Sequence, residues 1–166
     1  MDCCAVVKRY ANGQPACPSC ETIGRVVGDE TIQAILEPAQ ALSLLAVARR
    51  FCATPSCATV YYGDDGRAVT KDEIPIRVGL KEREDPIPLC YCLGFSVADA
   101  RREILETGRC TIPARIKAEV RGGQCACEIK NPSGNCCLGE VNRALKKLHE
   151  DLQEGVQEGP LLARAT

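Results

Sequence analysis

The sequence predicts an α+β fold, a small mixed α/β module followed by a helical helix-turn-helix module. Ala58–Tyr62 and Ile74–Val78 have the β-branched and aromatic content of strands. Three later segments carry helix-start and helix-stop signals. Between these regions, Lys-Glu-Arg-Glu-Asp-Pro-Ile-Pro-Leu at 81–89 runs from charge into two prolines, the composition of a polar, semi-rigid connector. The expected division is 1–80, a linker at 81–89, a helical unit at 90–152 and a loose tail at 153–166.

In the first unit, Asp29–Leu36 is expected as a short helix capped by Asp29, with Pro38 ending it or opening a second piece over Ala39–Leu45. Gly63-Asp-Asp-Gly66 is a turn signal between the two strand candidates and predicts a small antiparallel unit. In the second unit, Ser96-Val-Ala-Asp99 has the form of a capping box. It opens a helix carrying Ile104 and Leu105 that ends near Gly108. Pro113 suits the first turn of a helix through Ile116 and Val120, stopped by Gly122-Gly123. Leu138, Val141, Leu145, Leu148 and Leu152 recur at spacings of three and four, an amphipathic last helix.

Thirteen of the 166 residues are cysteine, while there are only two Phe, four Tyr and no Trp. A core so poor in large side chains needs cross-links, either disulfides or metals. The first residues, Met-Asp-Cys-Cys-Ala-Val-Val-Lys, lack the basic start and apolar run of a secretory signal. The longest apolar stretch, Ala39–Ala48, contains Ser43, stops at Arg49 and is too short for a bilayer, so no membrane insertion is expected. These features point to the cytoplasm, where thiols stay reduced and clustered cysteines read as metal ligands or redox groups. An odd cysteine count also fits a complete disulfide framework poorly. The net charge of −1, with short basic pairs scattered among acids, argues against nucleic acid as a partner.

The cysteines fall into two main sets. Cys17-Pro-Ser-Cys20 and Cys52-Ala-Thr-Pro-Ser-Cys57 form two knuckles that can aim four thiolates at one ion. That is the tetrahedral arrangement of structural zinc, with mononuclear iron as the alternative. Such a site leaves no open position for catalysis. The second set is Cys90-Tyr-Cys92, Cys125-Ala-Cys127 and Cys136-Cys137, with Cys110 apart. Single-residue spacing lets two thiolates reach one iron, and four thiolates from two loops suit a [2Fe–2S] cluster. The start of the last helix, after Cys137, would favour an anionic cluster through its dipole and unpaired N–H groups. A Rieske centre needs two histidines, and His149 is the single histidine in the chain.

Cys-x-x-Cys, Cys-x4-Cys, Tyr-Tyr-Gly-Asp, Val-Gly-Leu-Lys, Cys-Tyr-Cys and Asn-Pro-Ser-Gly-Asn-Cys-Cys-Leu-Gly follow one another in order. Together, from about Cys17 to Leu148, they resemble the N-terminal domain of the CopZ-type copper chaperones. The later half is also similar to the bacterioferritin-associated ferredoxins. The resemblance implies zinc on Cys17, Cys20, Cys52 and Cys57, and a [2Fe–2S] cluster held in part by Cys90 and Cys92. The remaining two cluster ligands come from Cys125, Cys127, Cys136 and Cys137. Cys125, after the Gly-Gly turn, and Cys137, leading into the helix, are the favoured pair, with Cys127 and Cys136 as alternates. Cys110 is expected as a small buried side chain. Complete members of that family add a copper-binding domain with a Met-x-Cys-x-x-Cys loop. The fourteen residues after Leu152 hold no cysteine, so that copper-carrying half is not expected here. Cys3-Cys4, two adjacent thiols, is a candidate for capture of a soft ion such as copper(I).

The expected function is one-electron transfer connected with copper or heavy-metal homeostasis, possible chemistry being reduction of Cu(II) to Cu(I). The partners would be a redox protein and a metal carrier or transporter. The alternative is a non-enzymatic metal-binding adaptor, or a sensor of iron and redox state. Asp64/Asp65 and Glu82/Glu84 lie in turn or linker stretches, and no constellation of catalytic residues accompanies the cysteines, so enzyme activity in the strict sense is not expected.

Overall fold

The computed structural model describes residues 10, 11 and 13–157, with side chains over 13–154. Two short strands, β1 (Tyr10–Ala11) and β2 (Gln14–Pro15), pair ahead of the first cysteines. β3 (Arg25–Val26) then starts a four-stranded antiparallel sheet and is followed by α1 (Asp29–Ile35) and α2 (Pro38–Leu45). The sheet is completed by β4 (Arg49–Phe51), β5 (Thr59–Gly63) and β6 (Ala68–Thr70), in the spatial order β3-β4-β5-β6.

Local chemistry explains most of these boundaries. Gly28 occupies the cap of α1, so Asp29 is its first helical residue and not its cap. There its carboxylate favours the positive helix end and pairs with Arg49. Pro38 opens α2, where its missing N–H costs nothing. The turn after Gly63 brings Val69 opposite Tyr61, so the partner of β5 is Ala68–Thr70 and not Ile74–Val78. Pro75 has no N–H to give a ladder. Ile74 and Val78 instead bury their side chains in the core from an irregular segment that begins with the turn Lys71–Glu73. The core itself is Val27, Ile32, Ile35, Leu44, Phe51, Val60, Tyr61 and Val78.

The second region opens with the hairpin β7 (Pro88–Cys90) and β8 (Phe95–Ser96). α3 (Val97–Thr107), α4 (Ile112–Arg121), α5 (Cys127–Lys130) and α6 (Leu138–Gln157) follow. The Ser96 hydroxyl accepts from Asp99 N–H at 3.2 Å, and the Asp99 carboxylate accepts from Ser96 N–H at 2.9 Å, closing the expected capping box. Val141, Leu145 and Leu148 of α6 bury against Ile104, Ile112 and Ile116. α6 runs past Leu152 to Gln157, because Gln153, Glu154 and Gln157 are good helix formers.

Residues 81–89 are held at many points. Lys81 ends the turn Gly79–Lys81 with its side chain buried. The Arg77 guanidinium donates to the Glu82 carboxylate at 2.7 Å and to the carbonyls of Glu84 and Pro86, both at 2.8 Å. Tyr91 Oη accepts from Gly79 N–H at 2.8 Å. The two regions also meet directly. Tyr61 Oη donates to Pro132 O at 2.6 Å, and Thr31 Oγ1 donates to Glu128 O. Gly134 (φ +67°) passes so close to Thr31 that a Cβ there would lie 2.7 Å from the Thr31 hydroxyl. The Asn131–Asn135 loop, with Asn131 and Ser133 buried, is therefore seated on the first module just before Cys136 and Cys137.

Candidate metal centres

Cys17, Cys20, Cys52 and Cys57 come together, every sulfur within 4.8 Å of the others. The Cys17–Cys57 and Cys20–Cys52 pairs are 3.8 Å and 3.6 Å apart. A zinc–sulfur bond of about 2.3 Å in a tetrahedron sets sulfur–sulfur edges of about 3.8 Å, so the four thiols fit that ion. The first knuckle is built by Cys17–Thr22, where Cys17 N–H donates to Thr22 O at 3.0 Å and Glu21 N–H to Cys17 O at 2.9 Å. Glu21 takes a left-handed φ of 60°, which turns the chain sharply after Cys20. The second knuckle is the connection between β4 and β5.

Three side chains brace this quartet. Lys81 Nζ donates to Thr54 O at 2.9 Å and to Cys57 O at 3.0 Å, tying down both ends of the second knuckle. Tyr62 packs on the cysteines while its hydroxyl accepts from Gly24 N–H at 2.7 Å and donates to Pro15 O at 3.1 Å. Ser19 and Thr59 hydroxyls bond at 2.7 Å across the knuckles. Burial pushes the Cys17 thiol up and Cys52 to about 12, against the lowering pull of nearby hydrogen bonds and, at Cys52, the Lys81 charge. Burial also works upward at Cys20, but hydrogen bonds from Thr54 and Thr22 prevail and bring it down to about 6.

The second set gathers around β7 and the start of α6. Cys92, Cys125 and Cys127 have their sulfurs within 4.8 Å of one another, with Cys92 and Cys127 3.6 Å apart. Ala126 N–H donates to Cys92 Sγ at 3.3 Å. Cys90 and Cys137 are both buried in one apolar cluster. The neighbouring Cys137 thiol pulls Cys90 down to about 6 despite its burial, and Cys90 in turn raises Cys137 together with burial. Burial lifts Cys127 to about 12, and Cys125 is raised by burial and by the nearby sulfurs of Cys92, Cys90 and Cys136. Cys137 stands immediately before α6 and its carbonyl accepts from Val141 N–H at 2.9 Å.

The six thiols are not equivalent. Cys90, Cys127 and Cys137 are buried, Cys92 and Cys125 are half-buried, and Cys136 is exposed. Cys110 is half-buried and stands apart, donating to the Glu103 carboxylate at 3.3 Å. Cys3 and Cys4 lie outside the described residues. The bracing by Lys81 and Tyr62 was not read from the sequence, where Lys81 was placed in the linker. The available signal was its position closing the Val78-Gly-Leu-Lys81 motif. Among the described residues, no helix is long and apolar enough to cross a membrane.

Comparison with known proteins places this geometry. The family model of the CopZ zinc-binding domain matches residues 14–75, which include all four cysteines of the first set. The copper chaperone CopZ of Archaeoglobus fulgidus is 32% identical over 129 residues, spanning 76% of this chain and 60% of that protein. The chain thus aligns with somewhat under two thirds of the length of that relative. The X-ray structure of the Archaeoglobus fulgidus CopZ N-terminal domain superposes with a TM-score of 0.64 at 29% identity, covering 77% of this chain and 95% of that domain. Residues 14–75 thus match the CopZ zinc-binding domain, and the greater part of the chain is similar to the N-terminal domain of that copper chaperone.

Proposed function

We propose that the protein holds one zinc ion on Cys17, Cys20, Cys52 and Cys57, and one [2Fe–2S] cluster on the second cysteine set, and that it transfers single electrons in the handling of copper or another soft metal. The observation that carries this reading is the presence of two separate thiol gatherings built differently. The first has three of its four cysteines buried, Cys20 half-buried, and is braced by Lys81 and Tyr62. The second has half-buried Cys92 and Cys125 and exposed Cys136 on one flank.

Four thiolates around a divalent zinc leave two negative charges in excess, and the buried Lys81 ammonium lies beside them as a counter-charge. No ligand position is left for a substrate, so the role of this centre is to hold the fold. In the second set, the burial of Cys90 and Cys137 in one cluster and the 3.6 Å contact of Cys92 with Cys127 support these four as the ligands. This choice keeps the expected Cys137 but takes Cys127 in place of Cys125, because Cys127 is buried and nearest to Cys92. A [2Fe–2S] cluster supplies one electron per cycle, and a copper(II) ion that accepts it becomes copper(I), the form thiolates retain. The chain's own contribution is to bury Cys90, Cys127 and Cys137 away from water, to direct the Ala126 N–H at Cys92 Sγ, and to leave an approach along the Cys92–Cys125 flank. The functional partners on this reading are an electron donor and a copper-carrying protein, within the cytoplasm.

Anaerobically purified protein tests it. One zinc, two irons and two acid-labile sulfides per chain, with a rhombic EPR signal after dithionite, are expected, and the reduced protein should convert a Cu(II) complex to Cu(I) stoichiometrically. Zinc without iron or sulfide after anaerobic reconstitution overturns the cluster, and a stable cluster that no physiological reductant reduces favours an adaptor or sensor role.

A further inference from the structure

We infer that Cys125 is a reserve ligand of the second centre, able to take the place of Cys127 beside Cys92. The inference rests on the cluster reading above. A [2Fe–2S] cluster needs four thiolates, and the second set contains six thiols. Three of them, on Cys92, Cys125 and Cys127, share one locus with all sulfurs within 4.8 Å, while Cys90 and Cys137, buried together in the helical core, take two of the four places and leave two for this locus. Cys125 is therefore already at ligand range with no ligand position of its own, its sulfur within 4.8 Å of those of Cys92 and Cys127.

The backbone around it permits the exchange. Cys127 begins α5, whose first residues are tied to the first module through Thr31 and Glu128, so its sulfur is set by that helix. Cys125 lies instead in the irregular stretch between α4 and α5, two residues after Gly123 at φ +70°, and an added Cβ at Gly123 would meet nothing within 4 Å. The loop has open space on that side. Cys125 is also the more solvent-accessible of the two, half-buried against a buried Cys127. Exchange would break one iron–sulfur bond to Cys127, whose thiolate would take up a proton, and form one to the Cys125 sulfur, whose thiol would give up a proton. The oxidation states do not change. Cys136, exposed and outside the sulfur triad, has no such part.

Four proteins decide it: the wild type, Cys127→Ala, Cys125→Ala and the double variant. Each is purified anaerobically and assayed for zinc, iron, sulfide, visible absorption and EPR of the reduced state. Cys127→Ala is expected to keep most of its iron and sulfide with shifted absorption and g values. Cys125→Ala is expected to match the wild type in both content and spectrum, and the double variant to lose the cluster while keeping its zinc. Loss of iron from Cys127→Ala equal to that of the double variant, with zinc intact, overturns the inference. So does an altered spectrum in Cys125→Ala, which would make Cys125 a resident ligand, or an unaltered one in Cys127→Ala, which would remove Cys127 from the centre. Absence of iron and sulfide in the wild type itself is the separate failure of the cluster reading.

Discussion

The two cysteine regions draw on opposite resources. Around Cys17, Cys20, Cys52 and Cys57, strands of two to five residues and two knuckles gather the thiols in a cluster with Tyr62 that is separate from the module's apolar core, and a buried lysine braces it. Around the second set, α3, α4 and α6 pack an apolar core of Ile104, Ile112, Ile116, Val141, Leu145 and Leu148 with the thiols at one end. The first site stands beside its module's core, whereas the second has Cys90 and Cys137 within the helical core itself. The braced quartet fits a centre that must stay closed, and the half-buried Cys92–Cys125 flank one that must be reached.

The largest expected effect breaks that contrast at its strongest point. Cys52→Ala should abolish zinc binding and unfold the first module, because structural zinc in small domains contributes on the order of 10 kcal/mol to folding. Metal analysis and chemical denaturation would check this, and retained zinc at one per chain would refute the scaffold role. For the helical region, Ile116→Ala leaves a cavity at a fully buried position and should cost about 2–5 kcal/mol. Removing iron from the wild type should leave its far-UV helical signal largely in place. A collapse of that signal on iron loss would erase the distinction between the two regions.

Smaller effects sharpen it. Lys81→Met strips hydrogen bonds from the carbonyls of Thr54 and Cys57 and is expected to cost about 1–3 kcal/mol, with faster transfer of zinc to a chelator. A zinc off-rate equal to that of the wild type would show that the lysine does not brace the knuckle. Tyr61→Phe removes the single hydroxyl bonded to Pro132 O, worth about 1 kcal/mol. Here iron, not zinc, should be released sooner, since the loop it supports leads to Cys137. Equal lability of both metals would place the weakness elsewhere.

Much of this was legible in the residues because the signals are local. The Ser96–Asp99 box, Pro113, the Gly108 stop and the Leu138–Leu152 stripe are chemistry within one or two turns, and each helix lies close to where it was expected. The gathering of Cys17, Cys20, Cys52 and Cys57 was legible because the spacing of two knuckles points four thiols at one place. The strand partner of β5 was misplaced because β-branched content at Ile74–Val78 reports burial as much as strand formation. Pro75 and the tight turn after Gly63 decided between them. The loop seated on Tyr61 and Thr31, and the burial of Cys127 over Cys125, depend on contacts across 71 and 97 positions of sequence, which no local pattern encodes.

The seating of the Asn131–Asn135 loop on the first module makes the two metal inventories one thermodynamic account. Any free energy that zinc lends to the platform under Pro132 is shared with the loop before Cys137, and linkage requires the same amount to be returned when iron is loaded. On the proposed reading, zinc scarcity would then register as weaker iron loading at the second centre, without any contact between the two sites.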